Sequence, residues 1–276
     1  MARRPFQNGD LDRTAYEAAD AHFRTVSRAL PHEAVETLAR EVVRRLAFRL
    51  PRDLGPDHRP SLEEIERLCA ALMSRDELAG DRLIFAARRE GVPPERIYLT
   101  YVAEAARHLG RMWEQDRISF ADVTMGSGRL YRIIRGLRYV IDGALGAEAE
   151  DRHVLFALVP EETHTLGIEI VTDLFRRAGW DVEMSLAEDH EAIVARTERS
   201  RFRAAVLVAN SQAMLANLVA LVMALRITQP LAHLVVAGKI VEQFDNVEEL
   251  VGADAVIPNM ETAVETLRDI ITPPGA

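Results

Sequence analysis

Val154-Leu155-Phe156-Ala157-Leu158-Val159, followed by Pro160-Glu161-Glu162-Thr163-His164-Thr165-Leu166-Gly167, reads as a buried strand that turns sharply into a helix. The turn mounts a histidine beside a carboxylate, at a position where a metal or cofactor can be held. Four more short apolar runs follow at 182–186, 204–209, 233–237 and 255–258, each separated from the next by a helical run. This alternation means right-handed βαβ units and a parallel sheet. The first, third and fourth runs are almost wholly apolar, which suits strands covered by helices on both faces. The expected fold is therefore α/β, a flavodoxin-like sheet in the order 2-1-3-4-5 behind an all-α N-terminal part. Its ligand crevice lies beyond the carboxyl ends of the strands, between strands 1 and 3. His164 follows strand 1, and Asn210, Ser211 and Gln212 follow strand 3.

Residues 1 to about 148 carry helical spacing instead. Ser61-Leu-Glu-Glu64 and Ser74-Arg-Asp-Glu77 both fit the capping box, so a helix is expected to begin at each. Gly91 ends the second of these, and Pro94 is placed to open the next, which runs to about Trp113. Ser119 caps a long helix with Asp122 in its first turn and an apolar stripe from Val123 through Leu130, Ile133, Ile134 and Leu137 to Val140 and Ile141. Upstream, residues 10 to 50 read as two helices, the second carrying Val35, Leu38, Val42, Leu46 and Leu50, before the turn-rich linker 51–60. The expected organisation is an N-terminal arm and linker over 1–60, a helical cap bundle over 61–148 and a binding domain over 153–272.

With 276 residues, 48% hydrophobic and 28% charged, the chain can bury a real core. A formal net charge of −9 argues against broad affinity for nucleic acid or an anionic membrane. Arg40, Arg44, Arg45, Arg49 and Arg52 lie partly along one helix face, which reads as solvated or partner-binding. The single cysteine, Cys69, excludes an internal disulfide and a cysteine-built zinc site. No apolar segment resembles a signal peptide or a membrane span, so a cytoplasmic location is expected.

In a loop, Glu162 and His164 can lie on the same side. The carboxylate then accepts from one imidazole nitrogen and leaves the other for a metal. Gly167 removes a side chain where a flat ligand would approach the backbone. His164 reads equally as a polar residue near a helix N-terminus, Gly238 as an ordinary turn, and Trp113 as a core or rim residue. The other histidines lack metal-ligand spacing.

Glu162-x-His164-x-x-Gly167 resembles the D-x-H-x-x-G loop of cobalamin-binding domains, whose histidine is the lower ligand of cobalt. Leu109-Gly110-Arg111-Met112-Trp113-Glu114, with Ser119 to Thr124 after it, resembles the helical cap that precedes such domains. Within that group the chain looks most like the stand-alone AerR/PpaA antirepressors, an impression carried also by Ile97-Tyr98-Leu99-Thr100-Tyr101 and Gly126-Ser-Gly128-Arg-Leu-Tyr131. The resemblance implies a light or redox sensor, not an enzyme, that binds a DNA-binding repressor of photosynthesis-type genes and touches neither nucleic acid nor membrane. A homo-oligomer is compatible with it. It implies adenosylcobalamin or hydroxocobalamin held between cap and sheet. His164 would lie below cobalt, Trp113 and Val123 on the cap side, and Glu162, Thr163, Thr165, Leu166, Gly167, Asn210, Ser211, Gln212, Ala237 and Gly238 around the cofactor.

Several positions depart from that pattern. Glu162 stands for the usual Asp, Ser211-Gln212-Ala213 for S-x-L, and Ala237-Gly238 for a Gly-Gly pair. A methyl at Ala237 is expected to narrow the slot for the cofactor's tail, which favours a shorter-tailed corrinoid, haem or another tetrapyrrole and counts against a methyl-carrier subunit. The photoreceptors' Glu-His pair falls here on Val123 and Thr124, so an upper histidine would have to be His108 or one from the arm.

Overall fold

The structure, a computed structural model, describes residues 11–48, 60–93, 96–138, 152–259 and 261–271. Leu50, Val140, Ile141, Pro94 and the linker through residue 59, all used in the sequence reading, lie outside them. The chain divides into two compact units, Met1–Leu145 and Gly146–Ala276.

The first unit is helical. Its helices are α1 (Arg13–Ala29), α2 (His32–Phe48), α3 (Leu62–Leu72), α4 (Ala79–Arg89), a π-helical turn (Ile97–Val102) running into α5 (Ala103–Glu114), and α6 (Phe120–Gly136). Asp12 caps α1 by accepting from Ala15 N–H, and its own N–H donates to Gly136 at the far end of α6. Tyr16, Ala19, Phe23 and Val26 form the buried stripe of α1, and Val35, Leu38, Val42 and Leu46 that of α2. The helices expected as an arm thus pack within this unit. A Cβ at Gly128 would stand 2.5 Å from the Phe23 ring, and one at Gly136 2.5 Å from Leu11, so α6 needs glycine where α1 crosses it.

Ser61 and Ser119 form the expected capping boxes with Glu64 and Asp122. Ser74-Glu77 does not. The helix begins at Ala79, because Asp76 accepts from Leu78 N–H and Ser74 Oγ donates to Ala71 and Asp76 carbonyls, building a loop instead. Buried arginines from α6 hold that loop. Arg129 donates to the carbonyls of Leu72 and Ser74, and Arg132 to that of Glu77. Arg132 also bonds Asp81 and Asp20, at 2.5 and 2.8 Å, and the Tyr16 hydroxyl donates to Asp81 at 2.8 Å. Burial raises the Tyr16 pKa well above its ordinary value, and Asp81 adds to the rise.

The second unit is a five-stranded parallel sheet in the order β2-β1-β3-β4-β5. The strands are β1 (His153–Leu158), β2 (Asp181–Ser185), β3 (Ala204–Val208), β4 (His233–Ala237) and β5 (Ala255–Ile257), within a residue or so of the runs read from sequence. Its helices are α7 (Leu166–Arg177), α8 (His190–Arg199), α9 (Leu215–Thr228), α10 (Val247–Val251) and α11 (Ala263–Ile271). β1 and β3 are buried along nearly their whole length, and α9 is buried on all sides from Leu218 onward. One apolar core joins Phe156, Val206 and Val235 of the sheet to Ile168 and Phe175 of α7 and Leu267 of α11. No helix among the described residues is long and apolar enough to cross a membrane.

Candidate functional site

Val159 ends β1 on a tight turn, with Glu162 N–H donating to Val159 O at 2.9 Å and Glu161 in the left-handed region at φ 73°. A non-glycine residue is held in that conformation only where its surroundings fix it. What they fix here is Glu162. Its Oε1 accepts from the backbone N–H groups of Thr163 (2.9 Å) and His164 (3.0 Å) and from His164 Nδ1 (2.6 Å), while Oε2 accepts from Asn210 N–H after β3 (2.8 Å). Burial pushes its pKa up, but the His164 ring and these backbone donors outweigh it and hold the carboxylate at about 2.

An ionised carboxylate only accepts, so the proton of the His164 ring sits on Nδ1 and the lone pair on Nε2. The Glu162 side chain is 4% exposed and that of His164 78%. A buried anion thus orients an imidazole whose metal-binding nitrogen faces outward. The longer Glu in place of Asp still closes this bond.

His164 stands at a cavity of about 550 Å³. Leu166, Gly167, Asn210, Ala237 and Gly238 line it with His164, and its depth is apolar, walled by Phe156, Ile168, Val171, Val206, Val208 and Ile257. Ala237, expected from the sequence to narrow the slot for the cofactor's tail, stands half-buried on the wall of this cavity. Gly238, at φ 96°, is required by the fold itself: a Cβ there would lie 2.2 Å from Ala209 O. Gly167 is different, since a Cβ would meet nothing within 4 Å. The room it leaves is available to a flat ligand, and a metal-bearing ring fits the donor set.

Of the remaining residues expected at the site, Thr163, Thr165, Ser211 and Gln212 belong to loops of the sheet unit, and Val123 and Trp113 to the helical unit. Thr163 and Thr165 contribute backbone to the turn, and Ser211 and Gln212 lead into a short 3-10 turn without lining the cavity. Asn210 is a joint as well as a wall: its Oδ1 accepts from Lys239 N–H and its carbonyl from Gln243 Nε2. Val123 is fully buried in the apolar stripe of α6, alongside Leu130 and Ile134. Within the helical unit, Trp113 lines a groove of about 670 Å³ between α2 and α5, with the Arg40 guanidinium 4.8 Å from its ring centre. Of the basic cluster, Arg49 and Arg52 lie outside the described residues, while Arg40 pairs with Glu36, and Arg44 and Arg45 pair with Glu41. His108 is buried, and burial with the nearby Arg111 holds its pKa below the ordinary value. Sequence reasoning missed Lys239, Glu242, Pro258 and Asn259 on the cavity wall. All four follow the carboxyl ends of β4 and β5, where this topology places ligands.

Residues 64–138, from α3 through α6, match the B12 binding domain family. An uncharacterized 20.5 kDa protein of the bchF-crtJ intergenic region in Rhodobacter capsulatus is 30% identical over 185 residues, which span 67% of this chain and 96% of that protein. The chain belongs to that protein's family. Two solved structures are also similar to this family member. A cobalamin-binding protein from Desulfitobacterium hafniense DCB-2 is 17% identical, over 75% of this chain and 98% of its own, at a TM-score of 0.40. The monomethylamine corrinoid protein of Methanosarcina barkeri is 17% identical over the same shares, at 0.39.

Proposed function

We propose that this protein is a cobalamin-binding sensor of the AerR/PpaA antirepressor type. It acts by binding, not turnover, through a DNA-binding repressor of photosynthesis-type genes. The observation that carries the cofactor assignment is the Glu162-His164 pair, which presents Nε2 beside a cavity with room at Gly167 and apolar depth behind Ala237 and Gly238. The B12 binding domain match supports it, and the relative from the bchF-crtJ region, within a photosynthesis gene cluster, supports the regulatory setting.

Cobalamin, when bound, would supply a cobalt centre whose chemistry responds to light. Glu162 fixes the His164 tautomer and leaves Nε2 free, so His164 would hold the cobalt. Leu166 and Gly167 offer apolar, open surface to the ring, and the deep apolar wall excludes water from any base placed there. Cofactor states that differ in their contacts with the protein would shift its affinity for the repressor. The net charge of −9 suits a protein partner and not DNA.

The test is retention and spectrum. Purified protein is mixed in the dark with hydroxocobalamin or adenosylcobalamin, desalted, and its visible spectrum recorded before and after light. Wild type is expected to retain the cofactor with a shifted spectrum, and His164→Ala to lose that shift. Failure of wild type to retain any cobalamin, or an unchanged spectrum in His164→Ala, overturns the assignment.

A further inference from the structure

The chain meets nearly every need for a cation with arginine: it has 33 arginines and one lysine. That lysine, Lys239, lines the same cavity as His164. Its backbone is fixed, with N–H donating to Asn210 Oδ1 at 3.2 Å directly after the constrained Gly238. Its side chain is exposed and makes no ion pair among the described residues. Glu242, one turn on, lines the cavity too and offers an acceptor for a hydroxyl or amide N–H.

Lysine and arginine differ in what they do at such a place. A guanidinium is a broad planar fork, whereas an ammonium is a compact point charge that fits against a single phosphate oxygen. If His164 takes the lower position on cobalt, the cofactor's own base must leave it. The base stays tethered through a ribose and a phosphodiester, which carries the one negative charge of that tail. The apolar depth of the cavity suits the displaced base, and Lys239 stands on the wall of the same cavity.

We propose that Lys239 binds the phosphodiester of the nucleotide tail and makes the site select tailed corrinoids over tail-less ones. This rests on the cobalamin assignment above and adds a specificity residue to it. A charge-assisted contact of this kind corresponds to about tenfold in affinity.

Equilibrium dialysis in the dark separates the possibilities, with hydroxocobalamin and diaquocobinamide as probes against wild type, Lys239→Ala and Lys239→Arg. Cobinamide keeps the corrin ring and cobalt but lacks the phosphodiester. Lys239→Ala is expected to weaken hydroxocobalamin about tenfold, to leave cobinamide unchanged and to keep the His164-dependent spectrum. Lys239→Arg recovers part of the loss. Raising salt is expected to weaken hydroxocobalamin binding in wild type more than in Lys239→Ala. Unchanged hydroxocobalamin affinity in Lys239→Ala, or an equal loss for both corrinoids, overturns the role of Lys239 and leaves the cofactor assignment standing. Wild type that binds neither corrinoid overturns both.

Discussion

The two units solve the problem of a unique interior in opposite ways. The helical unit buries charge: Asp81 is 0% exposed and Arg132 2%, and they tie α1, α4 and the loop before α4 to α6. Along its strands the sheet unit buries aliphatic side chains instead, and the polar groups of the proposed site stand at the carboxyl edge, on Glu162, His164, Asn210 and Lys239. Strands register through their backbone ladders, so an apolar sheet interior already specifies one pairing. Helices slide and rotate on one another more freely, and a buried polar network restores that specificity. The difference teaches that the buried charges of the helical unit tie its elements together, while the buried carboxylate Glu162 of the sheet unit orders the loops of the proposed site.

The sharpest way to break this comparison is to remove the ionic centre. Asp81→Ala leaves Arg132 and Tyr16 without their shared partner and is expected to destabilise the helical unit by about 3–5 kcal/mol, read as an earlier transition in urea unfolding. If the network serves specificity alone, Asp81→Leu with Arg132→Met recovers much of that stability.

At the sheet's edge the largest effect is expected from Gly238→Ala. A Cβ at φ 96° and 2.2 Å from Ala209 O forces the backbone aside, costing about 1–3 kcal/mol and distorting the cavity. A stability change near zero in thermal unfolding would show that the loop relaxes freely.

Asp254 tests a partly buried ion pair of the sheet unit away from the site. Burial works against its ionisation, but Arg226, with its charge and hydrogen bond, and the Leu234 N–H prevail and hold its pKa below the ordinary 3.8. Because the folded value lies below the unfolded one, its stabilisation is complete above about pH 4 and disappears as pH falls through the folded value. Asp254→Asn is expected to lower neutral-pH stability by about 1 kcal/mol and to flatten the loss of melting temperature below pH 4.

Smallest in stability is Gly167→Ala, which meets no protein atom and is expected to gain a few tenths of a kcal/mol from helix propensity. Its retention of hydroxocobalamin should nonetheless fall. Two glycines that follow the carboxyl ends of strands would then differ in kind, one required by the fold and one by the ligand.

Much of this was legible in the sequence for physical reasons. The strands announced themselves because buried parallel strands are continuous apolar runs, and their order followed from the alternation with helices. Glu162 and His164 were legible because their partnership is local. The false helix start at Ser74 was not, since the local pattern is overridden by Arg129 and Arg132, which lie 55 residues or more along the chain from the loop carbonyls they hold. Phe156, Val206 and Ile257 looked like any core residue, because a cavity is a property of what fails to meet across a gap. Gly126 and Gly128, quoted in the family resemblance, serve helix packing against Leu109 and Phe23.

Glu162 has one further consequence. Its two oxygens fasten the loop after β1 to the loop after β3, and Asn210 in turn fastens that loop to the one after β4. Three segments that would otherwise fluctuate independently share one hydrogen-bonded frame, so little chain entropy remains to be lost when a ligand arrives. A rim of this kind behaves as a socket, not a closing jaw. Motion that reports the bound state must then arise outside it.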